Sequence, residues 1–380
     1  MRRRTVGWVI VALLALLHLY IGLRILPDMP IAPALRFAGG IWLVASCALI
    51  PAGLLAHSIR RQPLSDRVAW AGLLSLGYFS SLFVATLLRD ITLLGAALLG
   101  INDGGWITAS AAGVPLLAAF ATLVGFVNAR RLARVVDVEV PIVGLPTALH
   151  GFTIAQISDI HVGPTIKHGY LEAIVNKVNA LGADVIAITG DLVDGSVKQL
   201  ARHTAPLAKL SARHGTYFVT GNHEYYSNAH AWIDEIRRLG LTVLMNEHVV
   251  LSHEGASLLF AGVTDYTAHH FDETHRSDPT AALVGAPEAV SAKVLLAHQP
   301  RTASAAAEAG FDLQLSGHTH GGQFFPWNFF VPMQQPYVAG LNKLHNLWIY
   351  TSRGTGYWGP PKRFGAPSEI TRLRLVPQMG

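Results

Sequence analysis

At 380 residues the chain has room for about two domains, and 51% hydrophobic residues with a mean hydropathy of +0.36 make it too apolar for an ordinary soluble enzyme. Charge divides at about residue 136, with 12 Lys+Arg against 4 Asp+Glu up to that point and 17 against 20 beyond it. The pI of 9.4 therefore comes from arginines flanking apolar segments, which argues against a nucleic-acid partner. The sole cysteine, Cys47, excludes an intrachain disulfide and fits a cytoplasmic domain.

Four long uncharged stretches come first: Thr5 to Leu23, Phe37 to Ile59, Val68 to Leu88 and Gly104 to Ala129. Each is close to the ~20 apolar residues a helix needs to cross hydrocarbon. Met1-Arg2-Arg3-Arg4 before the first run could open a signal peptide, but three further spans and no small-residue cleavage site favour an uncleaved anchor. Ile91 to Asn102 is shorter and reads as an interfacial or re-entrant segment. The expected organisation is a membrane domain of about four transmembrane helices over 1–130, a linker over 131–150 that reaches a sheet edge, and a catalytic domain over 151–380. With four spans, Arg2, Arg3, Arg4, Arg60, Arg61, Arg67, Arg130, Arg131 and Arg134 fall on one side and Arg24, Arg36 and Arg89 on the other. That excess places the catalytic domain in the cytoplasm, at the inner membrane of a bacterial cell; a fifth span at Ile91 to Asn102 would reverse it. Only His18 and His57 are ionisable within spans, both near span ends and read as interfacial, so the spans read as an anchor rather than a transporter.

Beyond the linker, five short aliphatic or β-branched runs each end in polar residues. Phe152 to Ser158 leads to Asp159 and His161, Val185 to Thr189 to Gly190 and Asp191, and Tyr217 to Thr220 to Gly221, Asn222 and His223. Val294 to Ala297 leads to His298, and Leu313 to Ser316 to Gly317, His318 and His320. Short apolar runs closed by turn signals read as buried parallel strands. Helix-length segments at about 168 to 181 and 197 to 211 give βαβ spacing, which sets strand C-termini on one edge, where such sheets bind ligands. A helix at Ala229 to Leu239 and strands at Thr242 to Leu244, Val249 to Ser252 and Ser257 to Ala261 follow. Thr264 to Ala281 reads as a long loop whose histidines are solvated, and Leu347 to Ser352 and Glu369 to Leu375 add two strands. The count suits an α/β fold of two stacked mixed sheets flanked by helices.

The residues at these strand ends resemble, in order, the pattern of the calcineurin-like binuclear metallophosphoesterases: Asp159-x-His161, Gly190-Asp191-x-x-Asp194, Gly221-Asn222-His223-Glu224, His298 and Gly317-His318-x-His320. The resemblance spans roughly residues 150 to 375, and the runs Gly221 to Tyr226, Leu315 to Gln323 and Gly356 to Pro361 look like a membrane-anchored bacterial branch. It implies the four-layer metallophosphoesterase sandwich and two divalent metal ions. One would take Asp159, His161, Asp191 and His320, the other Asp191, Asn222, His298 and His318, with Asp191 as the bridge. Nitrogen and oxygen ligands without thiolate suit Mn, Fe, Zn or Co. Such a pair polarises phosphoryl oxygens and makes water nucleophilic near neutral pH. The resemblance makes His223 the residue that stabilises the transition state or protonates the leaving oxygen, oriented by Asp194. For Asp194 the alternative is an N-cap on the helix at 197 to 211. Glu224 reads as a support for the ligands rather than a catalytic group.

The expected activity is hydrolysis of a phosphodiester or pyrophosphate, in a lipid-linked substrate such as a UDP-linked acylated sugar or a phospholipid. The alternatives are a phosphodiesterase of soluble substrates and a non-catalytic metal-binding membrane scaffold; retention of all seven ligand positions with His223 argues against the scaffold. The aromatic run Phe324-Phe325-Pro326-Trp327-Asn328-Phe329-Phe330, with Trp348, Tyr357 and Trp358, reads either as core or as a lipid-facing lip.

Overall fold

The computed structural model describes residues 2–59, 61–101 and 103–378. Arg60 and Asn102, both used in the span argument, lie outside the described residues, as do the side chains of Arg2, Arg3 and Arg4. The chain forms two compact units: residues up to Asn128 together with Gly359–Phe364, and Ala129–Trp358 together with the residues from Gly365 onward.

The first unit is built on helices α1 (Arg2–Ile25), α2 (Pro33–Leu54), α3 (Leu64–Leu98) and α4 (Gly104–Arg130), each with a stretch long and apolar enough to cross a membrane. The stretch from Ile91, expected as interfacial or re-entrant, instead extends α3 to 35 residues. Gly95 weakens that last run only slightly among Leu and Ala neighbours, and the helix stops where Gly100 takes φ 76°. In lipid there is no hydrophobic drive between helices, so close backbone approach has to supply the packing. Gly53 and Gly72 provide it, because a Cβ on Gly53 would lie 2.6 Å from Gly72 Cα.

Among the polar residues of this unit, His18 and Arg89 are buried. His18, expected as interfacial, is buried, with its ring stacked on Phe79 at 4.2 Å and its nitrogens bonded to the Leu14 carbonyl and Ser46 Oγ. Arg89 is also buried and donates to Asp28 Oδ2 at 2.6 Å, the Arg24 carbonyl at 2.8 Å and Ser110 Oγ at 2.9 Å. Arg24 in turn pairs with Asp90 at 2.8 Å. Gly359–Phe364 joins the same unit through Lys362, which donates to the Gly77 carbonyl at 2.9 Å and to Ser81, and through the Arg363 N–H on the Gly125 carbonyl at 2.8 Å.

The second unit contains, in chain order, β1 (Arg134–Ile142), β2 (Thr153–Ile157), α5 (His168–Asn179), β3 (Val185–Thr189), α6 (Val197–Thr204), β4 (Thr216–Val219), α7 (Asn222–Tyr226) and α8 (Ala229–Arg238). It continues with β5 (Thr242–Val243), β6 (Glu247–His253), β7 (Ala256–Gly262), β8 (Ala292–Leu296), α9 (Ala303–Glu308), β9 (Leu313–Ser316), β10 (Gly340–Leu344), β11 (Leu347–Thr351) and β12 (Glu369–Pro377). Two six-stranded mixed sheets result, ordered β1-β12-β2-β3-β4-β5 and β10-β11-β9-β8-β7-β6. The segment expected as a linker enters the first sheet as its edge strand, with β1 parallel to β12 from Arg134 opposite Glu369. Strand β10 had no recognisable alternation in Gly-Leu-Asn-Lys-Leu and is held by antiparallel pairing with β11.

The central strands are apolar on both faces because both faces are covered. Ile154, Val185, Ala187 and Val219 point to the layer between the sheets, where they meet Leu258, Phe260, Val294, Leu296 and Leu315. Their neighbours Ala155, Ile157, Ile186, Ile188 and Phe218 point the other way, against Leu171, Ile174, Val175, Trp232 and Ile236 of α5 and α8. The outer face of the second sheet packs Leu259, Leu295 and Ile349 on Ala303 and Ala306 of α9. This is the four-layer sandwich expected from the sequence.

Replacing Gly72 with Val puts a side chain against backbone on two sides, the Leu49 carbonyl and Gly53, neither of which moves without separating α2 from α3. The variant is expected to lose about 1 to 3 kcal/mol of stability, measured as a lowered Tm of the detergent-solubilised protein, while Gly95→Val, with open space around it, stays near wild type.

Candidate metal centre

Strands β2, β3 and β4 run parallel in one sheet and β8 and β9 in the other, so their C-terminal ends carry Asp159, His161, Asp191, Asn222, His298, His318 and His320 to one place. The backbone there is bent in an unusual way. Asp159, His161, Asp191, His318 and His320 have φ of 53°, 56°, 51°, 71° and 52°, a left-handed region that residues with a Cβ rarely occupy. Each such residue costs on the order of 1 to 3 kcal/mol and persists only where its surroundings over-determine it. Here the Asp159 and His161 N–H groups donate to the Gly190 and Asp191 carbonyls at 3.0 and 3.1 Å. The Asp159 carboxylate accepts the His318 N–H at 3.0 and 3.1 Å. Gly317 makes that last contact possible, since a Cβ at 317 would overlap the Asp159 carboxylate and Ser158.

Two groups of donor atoms emerge. In the first, His161 Nε2 and His320 Nε2 are 3.0 Å apart and Asp159 Oδ1 is 3.4 Å from His320 Nε2. In the second, His298 Nε2 is 3.2 Å from each of Asp191 Oδ2, Asn222 Oδ1 and His318 Nδ1. Asp191 Oδ2 is also 4.0 Å from His161 Nε2, which puts it between the groups. His298 Nδ1 donates to the Thr189 carbonyl at 2.7 Å, which turns its Nε2 toward Asp191, Asn222 and His318. Two carboxylates, an amide oxygen and four imidazoles converging in this way favour a positive charge among them. Their 3.0 to 3.4 Å separations match the edges of a polyhedron with ~2.1 Å metal–ligand bonds. The donor set therefore fits two divalent cations.

Asp194 and His223 lie beside this cluster. Asp194 Oδ1 accepts from His223 Nδ1 at 2.6 Å and from His161 Nδ1 at 3.0 Å, so one carboxylate orients both rings. The N-cap alternative fails, because Ser196 caps α6 in a capping box with Gln199. Burial alone would raise Asp194, but His161 and His223 hold it well below the usual carboxylate range. Burial would lower His223, and Asp191 and Asp194 overcome it to push the imidazole up to about 9. For His318, burial and the neighbouring His298 act together and bring it down to about 3.

Glu224, read from the sequence as a support for the ligands, acts through the backbone of their turns. Its fully buried carboxylate accepts the N–H groups of Gly221 at 2.7 Å, Leu192 at 2.8 Å and Asp191 at 2.9 Å, binding the β3 and β4 turns together. Gln323 is a residue the sequence did not single out. It exchanges two hydrogen bonds with the Trp358 backbone, at 2.8 and 2.9 Å, and the Trp358 ring lies 5.6 Å from His223. Of the aromatic run, Phe324 is buried, while Phe325, Trp327, Phe329 and Phe330 are 46 to 66% exposed.

Residues 152–322 match the calcineurin-like phosphoesterase family. A transmembrane protein with metallophosphoesterase domain from Danio rerio is 37% identical over 268 residues, covering 68% of this chain and 61% of that protein. Its counterpart from Bos taurus is 41% identical over 277 residues, covering 69% and 62%. The chain thus spans about three fifths of the length of these two relatives. An uncharacterized metallophosphoesterase of Campylobacter jejuni is 33% identical over 324 residues, covering 83% of this chain and 84% of that protein. Relatives in two vertebrates correct the expectation of a bacterial branch.

Glu224→Gln keeps the volume of this side chain but turns an amide NH₂ toward backbone N–H groups that need acceptors. Although Glu224 is not among the ligands, the variant is expected to lose about 1 to 3 kcal/mol of stability and to retain less metal at both positions. Elemental analysis and thermal unfolding of the purified variant check this; full metal content would contradict the bracing role.

Proposed function

The chain belongs to the calcineurin-like phosphoesterase family, and from that membership we propose that it is a membrane-anchored, two-metal hydrolase of a phosphodiester or pyrophosphate in a lipid-linked substrate. The observation that carries this reading is the convergence of seven nitrogen and oxygen donors beside an imidazole held by its own carboxylate. Asp159, His161, Asp191 and His320 would hold one cation, and Asp191, Asn222, His298 and His318 the other. When bound, the pair supplies Lewis-acid polarisation of the phosphoryl oxygens and a nucleophilic water.

The rest is the work of the chain. With Nδ1 engaged by Asp194, His223 keeps Nε2–H for the substrate, and the raised pKa keeps that proton in place near neutral pH. As water adds to phosphorus and releases a proton to solvent, the bond to the leaving oxygen breaks and that oxygen takes the proton from His223 Nε2. The imidazole is reprotonated from solvent before the next turnover. Asp194 stays ionised and stabilises the imidazolium. Trp358, fixed by Gln323, bounds the same space on its apolar side.

Two features support a lipid-linked substrate. Only Arg131 to Ala133 separate α4 from β1, so the catalytic unit works within a short reach of the bilayer. The aromatic run that follows His320 is largely exposed, as a lip entering an interface is. A count of four spans and the nine-to-three arginine excess support a cytoplasmic face, at the inner membrane in a bacterial cell.

His223→Ala is expected to keep both metals and lower kcat by about 10² to 10⁴, with a smaller loss for a p-nitrophenyl ester, whose leaving group needs no proton. Loss of metal, or equal losses on good and poor leaving groups, would remove His223 from the role of acid. Replacing both Trp327 and Phe329 with Ser should lower turnover of a long-chain lipid phosphodiester in mixed micelles and leave hydrolysis of a small soluble diester nearly unchanged. Equal turnover of the lipid by variant and wild type would dismiss the lipid-facing lip.

A further inference from the structure

A second cluster of metal-binding side chains lies in the catalytic unit and shares no residue with the seven ligands. His230 lies in the first turn of α8, and Asp272 and His275 come from the loop between β7 and β8. His230 Nε2 is 3.0 Å and His275 Nε2 3.9 Å from Asp272 Oδ2, and the three donor atoms all lie within 4.8 Å of one another. The loop was expected to carry solvated histidines. His275 instead has a side chain only 15% exposed.

Three further features separate this cluster from an ordinary surface ion pair. Asp272 Oδ1 is occupied by the Thr274 N–H at 3.0 Å and the Thr274 hydroxyl at 2.6 Å, which leaves Oδ2 for the imidazoles. His275 Nδ1 is hydrogen bonded to the Tyr225 hydroxyl at 2.9 Å, so the ring is fixed with Nε2 toward Asp272, the support a ligating histidine usually has. The cluster also borders a cavity of about 290 Å³, lined by His230, Asp234, Arg237, Asn246 and His275 among others, with room for water to complete a coordination shell.

We infer that His230, Asp272 and His275 form a third divalent-cation site, independent of the binuclear centre. Two imidazoles and one carboxylate suit Zn²⁺ and its first-row neighbours over Ca²⁺ or Mg²⁺. The site goes beyond the proposed hydrolysis and does not depend on it. Its place in the fold gives it a consequence. Phe271 of the same loop packs 5.8 Å from Tyr225 and 5.6 Å from Tyr226, whose ring is 5.1 Å from His223. A cation joining α8 to this loop therefore clamps it against the turn that carries Asn222 and His223.

The test uses the full chain in detergent, stripped with a chelator, reloaded with Zn²⁺ or Co²⁺ and passed through gel filtration before elemental analysis. Three equivalents are expected in the wild type and two in both His230→Gln and Asp272→Asn. His230 is exposed, so the first variant is expected to fold; thermal unfolding confirms it. Tyr225→Phe should lower the affinity of the third equivalent alone, about 10-fold or more. In the Co²⁺ protein the third increment of visible absorbance should vanish in His230→Gln. Two equivalents in the wild type, or three persisting in both variants, would overturn the assignment.

Discussion

A buried carboxylate ties two of the ligand turns together. Glu224 receives three backbone N–H groups from two different strand ends, and the Asp191 carboxylate adds a further link by accepting the His223 N–H at 2.8 Å. Left-handed residues at Asp159, His161, Asp191, His318 and His320 would relax toward ordinary conformations if their turns were free. They are not free, because Gly190 and Asp191 accept from the first turn and Glu224 ties the second to the third. Asp191, the proposed bridge, thus has its backbone fixed from both sides. That is a condition for a site whose donors must stand together before any cation arrives.

Much of this centre was legible because chemistry and topology coincide at strand ends. A buried parallel strand has to be apolar, a turn has to follow it, and polar residues at five such turns have little reason to be Asp, Asn and His unless they meet. What stayed hidden depends on partners far along the chain. Nothing near Asp194 says that it serves His161 as well as His223, since the first contact crosses 33 positions. His275 looked solvated because its partner Tyr225 lies 50 residues away. His18 looked interfacial because position along a span does not reveal that Ser46 and Phe79 enclose it. Strand β10 carries no pattern of its own and takes its form from β11.

The helical unit follows a similar logic with different materials. Its buried Arg89 is matched by Asp28, and the more exposed Arg24 pairs with Asp90. Its packing depends on the absence of side chains at Gly53 and Gly72. The segment Gly359–Phe364 makes hydrogen bonds with this unit although it follows Trp358 directly in sequence. A fragment cut at the end of α4 would therefore lose the Gly77 and Gly125 carbonyls that now accept from Lys362 and from the Arg363 N–H.

The left-handed ligands also bear on how such a site can be lost. Asp, Asn and His combine metal affinity with tolerance of positive φ, a pairing that β-branched or bulky apolar residues lack. A ligand replaced by Val would therefore forfeit a cation and add backbone strain, whereas replacement by Gly would forfeit the cation and relieve strain. Decay of the centre is thus biased in direction: descendants that drift away from binding metal should accumulate glycine at positions 159, 161, 191, 318 and 320 more readily than β-branched residues.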